Sequence, residues 1–445
     1  MKNVLILGAG LVVKPMVRYL LDHQYKVTVA SRTKSKGENM IAGHQNGTAL
    51  EWTVDKEGEL DKMVADHDLT VSLLPYRYHV MVAKKCIEHK KPMVTTSYVK
   101  PEMKALDEEA RDAGILILNE VGLDPGIDHM SAMRIIDHIH NKNGKVESFY
   151  SVTGALPAPE ALDSPFNYKF SWSPKGVVLA SNNGARFMKR EEITELDTAD
   201  LFKKPLVSSF PKVGELEIYP NRDSMPYIDL YAIPEAKTMF RGTFRHKGWC
   251  EAMDAMKAMN LITQKEYDFT GVTYAGFVKQ MIGAELNEDV KDAVCKFLGV
   301  EEDAVPVKAL EYLGLFSEKE MGRTKDTPYE ITSDLMIDKM MLQDDERDMV
   351  VMEHTFLAKY PDNKMEVIKS RMLDYGSPAT DTAVARTVAL PAAVAVDLIL
   401  QGKIETTGVH IPVIGELYNP ILDRLQEMDI EMEEVFGLPE SENLE

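Results

Sequence analysis

Cysteine is scarce in this chain. Only Cys86, Cys250 and Cys295 occur in 445 residues, scattered without pairing or metal-like spacing. That pattern excludes a disulfide framework and a zinc site, and no metal is expected; a reducing, cytoplasmic setting is the expectation. Long apolar runs are missing too. The longest, 388–396, is interrupted by Pro391 and ends at Asp397, well short of the roughly 20 residues a membrane span needs. No basic n-region with an apolar core opens the sequence, so neither a secretory signal nor a membrane partner is expected. Positive charge is in deficit, 51 Lys and Arg against 71 Asp and Glu, for a net charge of -20. Nucleic acid is therefore not an expected partner, and any cluster of arginines needs a reason. Internal repeats and low-complexity segments are absent.

What is present fits a soluble protein of two or three domains: 44% hydrophobic and 27% charged residues. The 26 methionines read as core filler on helices rather than as an adaptable binding surface, with Met253, Met256 and Met259 on one helical face. Strand and helix alternate through the first third. Strands are predicted over 4–7, 26–30, 48–52, 68–74, 92–95 and 115–118, with a helix over 12–21 after the first. Such spacing indicates right-handed βαβ crossovers. The fold class is therefore α/β: a Rossmann-type doubly wound parallel sheet, plus an α+β substrate domain with a helical insertion. We assign 1–123 to the dinucleotide-binding domain, completed by about 378–402, where an alanine- and valine-rich helix is expected to be buried. Residues 124–250 and 346–377 form the mixed-sheet substrate or dimerisation domain, and 251–345 the helical insertion.

Gly8-Ala9-Gly10-Leu11-Val12-Val13 follows a predicted strand and opens a helix, the context a dinucleotide fingerprint requires. Gly8 permits the tight turn, and Gly10 lets the backbone approach a pyrophosphate stabilised by the helix N-terminus. Val13 stands where Gly or Ala is usual. The second strand ends Ala30-Ser31-Arg32-Thr33, with no acid to bind a ribose 2′-hydroxyl. Arg32 can take a 2′-phosphate bidentately, which favours NADP, with NAD as the alternative. Asp55, after the third strand, can accept the adenine amino group; a plain loop carboxylate is the competing reading. The loop Val121-Gly122-Leu123-Asp124-Pro125-Gly126-Ile127-Asp128-His129 should face the same crevice, outside the carboxyl ends of the strands. There Asp124 is an expected N-cap, with Pro125 at the first helical position. A carboxylate at that edge can also orient an amine and manage its proton. Asp128 and His129 are expected to serve the first helical turn, with His129 as an alternative proton relay.

Several long motifs carry a resemblance. Leu73-Leu74-Pro75-Tyr76, Val94-Thr95-Thr96-Ser97-Tyr98-Val99, Asn119 to His129, Tyr168-Lys169-Phe170-Ser171-Trp172-Ser173, Tyr219-Pro220-Asn221-Arg222-Asp223-Ser224 and Arg241-Gly242-Thr243-Phe244-Arg245 occur in that order. This series, nearly end to end, resembles the glutamate-forming saccharopine dehydrogenases, also called saccharopine reductases. The resemblance implies a nicotinamide enzyme acting on a secondary amine in lysine metabolism. Saccharopine would be interconverted with L-glutamate and 2-aminoadipate 6-semialdehyde through an imine. It implies that Gly10, Leu11, Val12, Ser31, Arg32, Thr33, Leu74, Thr96, Ser97, Leu123, Asp124, Pro125 and Ser173 contact the cofactor. Ser97, Tyr98, Arg222, Thr243 and Arg245 would hold the substrate by this resemblance; Asp124, from its place at the sheet edge, is the residue we assign to catalysis and substrate contact. Three substrate carboxylates call for several guanidinium groups; a surface ion pair is the competing reading for each arginine, and an ordinary surface lysine for Lys169. A related carboxynorspermidine-type imine reductase, or a non-catalytic nucleotide-binding protein, are the alternatives. The resemblance also admits a homodimer. One departure stands out: relatives carry a cysteine in a Tyr-Cys-Gly-Gly segment, where this chain has Ser151-Val152-Thr153-Gly154. Thr153 cannot ionise as a thiol would.

Overall fold

The first strand, Asn3–Leu7, is apolar at nearly every position, as a strand covered on both faces must be. It lies near the middle of a seven-stranded sheet in the computed structural model of the chain, which describes residues 1–444. We number the strands β1 (Asn3–Leu7), β2 (Lys26–Ser31), β3 (Gly47–Glu51), β4 (Leu69–Ser72), β5 (Met93–Val94) and β6 (Leu116–Leu118). A further strand, Gly408–His410, pairs with β6, so the order runs Gly408–His410, β6, β5, β4, β1, β2, β3. Every neighbour is parallel. The order reverses at β1, which is where a doubly wound sheet opens a ligand crevice.

Packing divides the chain into two compact units. The first comprises Met1–Lys145 with Ala358–Leu438; the second comprises Val146–Leu357 and the chain from Pro439 onward. The sequence-based division places 124–145 and 358–377 in the other domain and assigns 403–438 to none. In that unit the helix Ala383–Leu400 is apolar on nearly all sides and mostly buried. It is long and apolar enough to cross a membrane, yet 78% of its apolar window is covered within the protein. The Tyr25 hydroxyl donates to Asp397 Oδ1 at 2.6 Å and ties this helix to the residue that precedes β2.

The second unit is built on a mixed sheet. Its neighbours run Leu206–Phe210, Gly214–Pro220, Thr238–Arg245, Lys145–Pro157 and Asp348–Lys359. The first two pairings are antiparallel, and Thr238–Arg245 runs parallel to Lys145–Pro157. Five helices, from Trp249–Ala258 to Pro328–Met340, follow between Trp249 and Met340. Met253, Met256 and Met259 are fully buried among them, as core filler rather than surface.

Candidate functional site

Because all seven strands of the first sheet are parallel, the loops leaving β1, β2, β4, β5 and β6 gather at one edge. Register fixes this: Leu7 lies beside Ala30 and Ser72, and Val94 lies beside Val71 and Leu118. The glycine turn and the Asp124 loop therefore share that edge, as expected. Gly8 has φ +116°, and a Cβ there would sit 2.8 Å from the Leu73 carbonyl oxygen, so both conformation and space demand glycine. Around Gly10 a Cβ would meet nothing within 4 Å; that open backbone is what a close pyrophosphate needs. The helix that follows is Lys14–Asp22, two residues later than expected, with Val13 buried at its N-cap.

A cavity of about 410 Å3 opens here. Its wall includes Gly8, Gly10, Ser31, Arg32, Thr33, Asp55 and Leu74, all expected cofactor contacts, together with Lys36 and Arg77. Leu11 is 64% exposed, and Val12 is half-buried. A hydrogen bond from the Thr53 side chain holds the Asp55 carboxyl below its ordinary range. The open glycine backbone, the volume and the cations fit a dinucleotide with a phosphorylated ribose.

Further along the edge, the Tyr98 hydroxyl donates to Asp124 Oδ1 at 3.3 Å. The N-cap reading of Asp124 needs correction. The helix is Ile127–Asn141 with Gly126 at its N-cap, so neither Asp124 nor Pro125 belongs to it. Gly126 has φ +149°, and a Cβ there would fall 2.0 Å from the Gly122 oxygen. The chain folds so tightly because Gly122 N donates to Pro125 O and Ile127 N to Gly122 O. The half-buried Asp124 thus sits in a loop held by backbone bonds. Asp128 does serve the helix start, accepting from Gly126 N at 2.6 Å. His129 instead pairs with Glu120 at 2.8 Å, both buried. The other Glu120 oxygen accepts from Val99 N at 2.7 Å, which ties the residue after Tyr98 to the base of the Asp124 loop.

Ser97 is backed by a second buried layer. Its hydroxyl lies 2.8 Å from His79 Nε2, and His79 Nδ1 lies 2.8 Å from the Ser72 hydroxyl. Burial pushes the His79 imidazole down to about 4, so at neutral pH it is uncharged and bridges two hydroxyls. Thr96 and Leu123 complete this stretch, Thr96 packing close to Gly122.

The remaining expected residues lie in the second unit. Arg241, Thr243 and Arg245 alternate along Thr238–Arg245 and so share one face. Arg241 is buried; it stacks over the Tyr227 ring at 4.1 Å and donates to the Tyr227 hydroxyl at 2.8 Å. Arg245 is only 5% exposed. Its guanidinium lies over the rings of Tyr168, Tyr219 and Trp249 at 4.9, 5.6 and 5.4 Å. Nη1 donates to the Phe244 carbonyl at 2.8 Å, and Nε has no partner among the described residues. The cross-strand neighbour Glu217 offers no relief: burial raises its pKa and its carboxyl is near Cys250. Neither Arg241 nor Arg245 is the surface ion pair of the competing reading. For Arg245, a buried guanidinium with an unsatisfied Nε is costly, which is what an anion-binding group looks like before its ligand.

Thr243 lies in register with Tyr219 on one side and Thr153 on the other. The Thr153 hydroxyl is buried with no partner among the described residues, so the position that departs from the relatives' cysteine adjoins a substrate candidate. Arg222 is exposed, with φ +53°. Ser173 is the N-cap of the short helix Pro174–Ala180. Lys169 corrects the surface-lysine reading: it is 6% exposed and ion-paired with Asp163 at 2.7 Å and with Glu346. Lys36, Arg77, His79 and Glu120 were missed. For Lys36 a signal existed in the lysines that open the helix after β2; for the others no spacing pattern marks them.

One unit with an open glycine turn, a cation-lined cavity and a carboxylate at the sheet edge, and another with a buried arginine, define a two-part nucleotide-dependent oxidoreductase. Residues 4–118 match the saccharopine dehydrogenase NADP binding domain, and residues 122–430 match the saccharopine dehydrogenase C-terminal domain. The chain belongs to the saccharopine dehydrogenase family. It is 37% identical to saccharopine dehydrogenase (NADP(+), L-glutamate-forming) of Pyricularia oryzae, over 96% of this chain and 97% of that one. The protein of the same name from Schizosaccharomyces pombe is also 37% identical, over 98% and 99%. Among solved structures, apo saccharopine dehydrogenase (L-Glu forming) from Saccharomyces cerevisiae superposes with a TM-score of 0.91 at 34% identity, covering 98% of this chain and all of that one. The chain spans about half of bovine mitochondrial alpha-aminoadipic semialdehyde synthase, 47% of its length at 35% identity.

Proposed function

We propose that this chain is an NADP-dependent oxidoreductase interconverting saccharopine with L-glutamate and 2-aminoadipate 6-semialdehyde, a step of lysine metabolism. The observation that carries this reading is end-to-end likeness to enzymes bearing that activity in their names. The buried guanidinium of Arg245, whose Nε lacks a partner among the described residues, supports a substrate with carboxylates. NADP, when bound, supplies the hydride acceptor. Oxidation takes a hydride from carbon and a proton from nitrogen of the substrate's secondary amine. Water adds to the resulting imine, and the C–N bond breaks to give the glutamate amine and the aldehyde.

In this reading Gly8 and Gly10 give the pyrophosphate its backbone approach, and Ser31, Arg32 and Thr33 meet the ribose phosphate. Arg222, Thr243 and Arg245 hold substrate carboxylates. Asp124 is the catalytic group that takes up the amine proton, kept in place by Tyr98, whose hydroxyl donates to it. Thr153 contributes a hydrogen bond and no proton of its own. The three cysteines, none in a disulfide, support a reducing, cytoplasmic setting. The test is absorbance at 340 nm with saccharopine and each oxidised cofactor. Reduction of NADP in preference to NAD is expected. No absorbance change at any pH, or turnover only with a substrate of fewer carboxylates, overturns the assignment.

A further inference from the structure

The cavity beside Ser31 carries more positive charge than the fingerprint accounts for. Arg32, Lys36 and Arg77 all line it. The chain as a whole is acidic, 71 acidic residues against 51 basic ones, so three cations gathered on one cavity wall stand out. Among the described residues no carboxylate lies within ion-pair distance of any of the three. Lys34, by contrast, pairs with Glu38 at 3.3 Å on the same helix.

The helix itself points the same way. Lys34–Ile41 begins with Lys-Ser-Lys, has no acidic residue in its first turn and has no side-chain cap at Thr33. Lys36, near the positive end of the helix dipole and without the acidic partner that Lys34 has, is electrostatically unfavourable there unless an anion joins it. Arg77 comes from a different element, the turn Tyr76–Tyr78 after β4, and stacks over the Tyr78 ring at 4.7 Å. That contact holds its guanidinium without consuming its five donors.

We propose that Lys36 and Arg77 act with Arg32 as a three-sided clamp for the ribose 2′-phosphate, and that these two residues, more than Arg32 alone, set the preference for NADP over NAD. A 2′-hydroxyl offers such a clamp no charge, and β2 ends at Ser31 with no acid to receive it. The inference rests on the NADP-dependent reading above. It goes beyond that reading by assigning the selectivity to two residues outside the fingerprint.

The test titrates adenosine 2′,5′-bisphosphate and adenosine 5′-phosphate calorimetrically into wild type, Lys36→Gln, Arg77→Gln and the double variant. Each single substitution should weaken the bisphosphate by about tenfold, the usual worth of one charge-assisted hydrogen bond. Binding of the monophosphate should change less than twofold. The bisphosphate affinity of wild type should also fall more steeply with salt than that of the double variant. Unchanged bisphosphate binding in both single variants overturns the proposal. So does an equal loss for both nucleotides, since that marks a structural defect. The binding readout needs no turnover, so an enzyme inactive on saccharopine would sink the parent reading while leaving this one measurable.

Discussion

The nucleotide cavity and the arginine strand use the same chemical group in opposite circumstances. At the cavity, Arg32, Lys36 and Arg77 are exposed, so water solvates them and leaving them unpaired costs little. In the second unit Arg245 is buried under three aromatic rings, with one of its nitrogens partnerless. There an anion does more than add a contact: it relieves a standing desolvation penalty. The lesson is that exposed cations tune selectivity in modest steps, whereas a buried one should decide whether a carboxylate substrate is held at all.

The largest effect should come from neither cation but from Asp124. Asp124→Ala removes a proton-handling group and should lower kcat by roughly 10²- to 10⁴-fold, with nucleotide affinity unchanged in the same calorimetric assay. Persistence of wild-type kcat would leave the carboxylate a structural role only. Next, Arg245→Ala should lower kcat/KM for saccharopine by about 2–4 kcal/mol, the range for losing a buried charged partner. Nucleotide binding should again be untouched. A loss below threefold would make the aromatic-walled arginine a fold element and break the contrast drawn above.

A third effect concerns pH. The His79 pKa is depressed to about 4 in the folded protein against an ordinary 6.5. Above 6.5 neither state is protonated there. As pH falls below 6.5 the unfolded chain takes up a proton that the folded protein refuses, so stability drops until about pH 4. The full loss is roughly 3 kcal/mol. Denaturant midpoints measured at pH 7.5, 6 and 5 should decline more steeply for wild type than for His79→Gln; parallel declines would show that the buried imidazole is not responsible. The smallest effect is that of Arg32→Ala, about a tenfold narrowing of the NADP advantage over NAD. An unaltered nucleotide preference would shift the selectivity entirely to Lys36 and Arg77.

Much of the first unit was legible because its signals are local. Six of seven strands followed from short apolar runs bounded by turns. The helix Ala383–Leu400 followed from its length and composition. The glycine turn declared itself by position after a strand. The seventh strand, Gly408–His410, was not legible: three residues carry no periodicity, and they become a strand only because β6 offers them an open edge. Pro125-Gly126 was read as a helix start two residues too early, because Gly122 closes onto Gly126 through backbone bonds that no spacing rule describes. Lys169 looked like a surface lysine until Glu346, far along the chain, proved to be its partner.

The amino-acid order alone determined the sheet's parallel character, the nucleotide turn and the list of groups able to meet an anion or a proton. Those properties rest on periodicity, backbone freedom and side-chain chemistry, which belong to single residues and their near neighbours. Which groups are buried, which lack partners and which lie in register was decided only by tertiary structure. Arg245 is an ordinary arginine until Tyr168, Tyr219 and Trp249 remove it from water. Desolvation depends on what packs against a group, and packing is set by strands and helices brought together from distant parts of the chain.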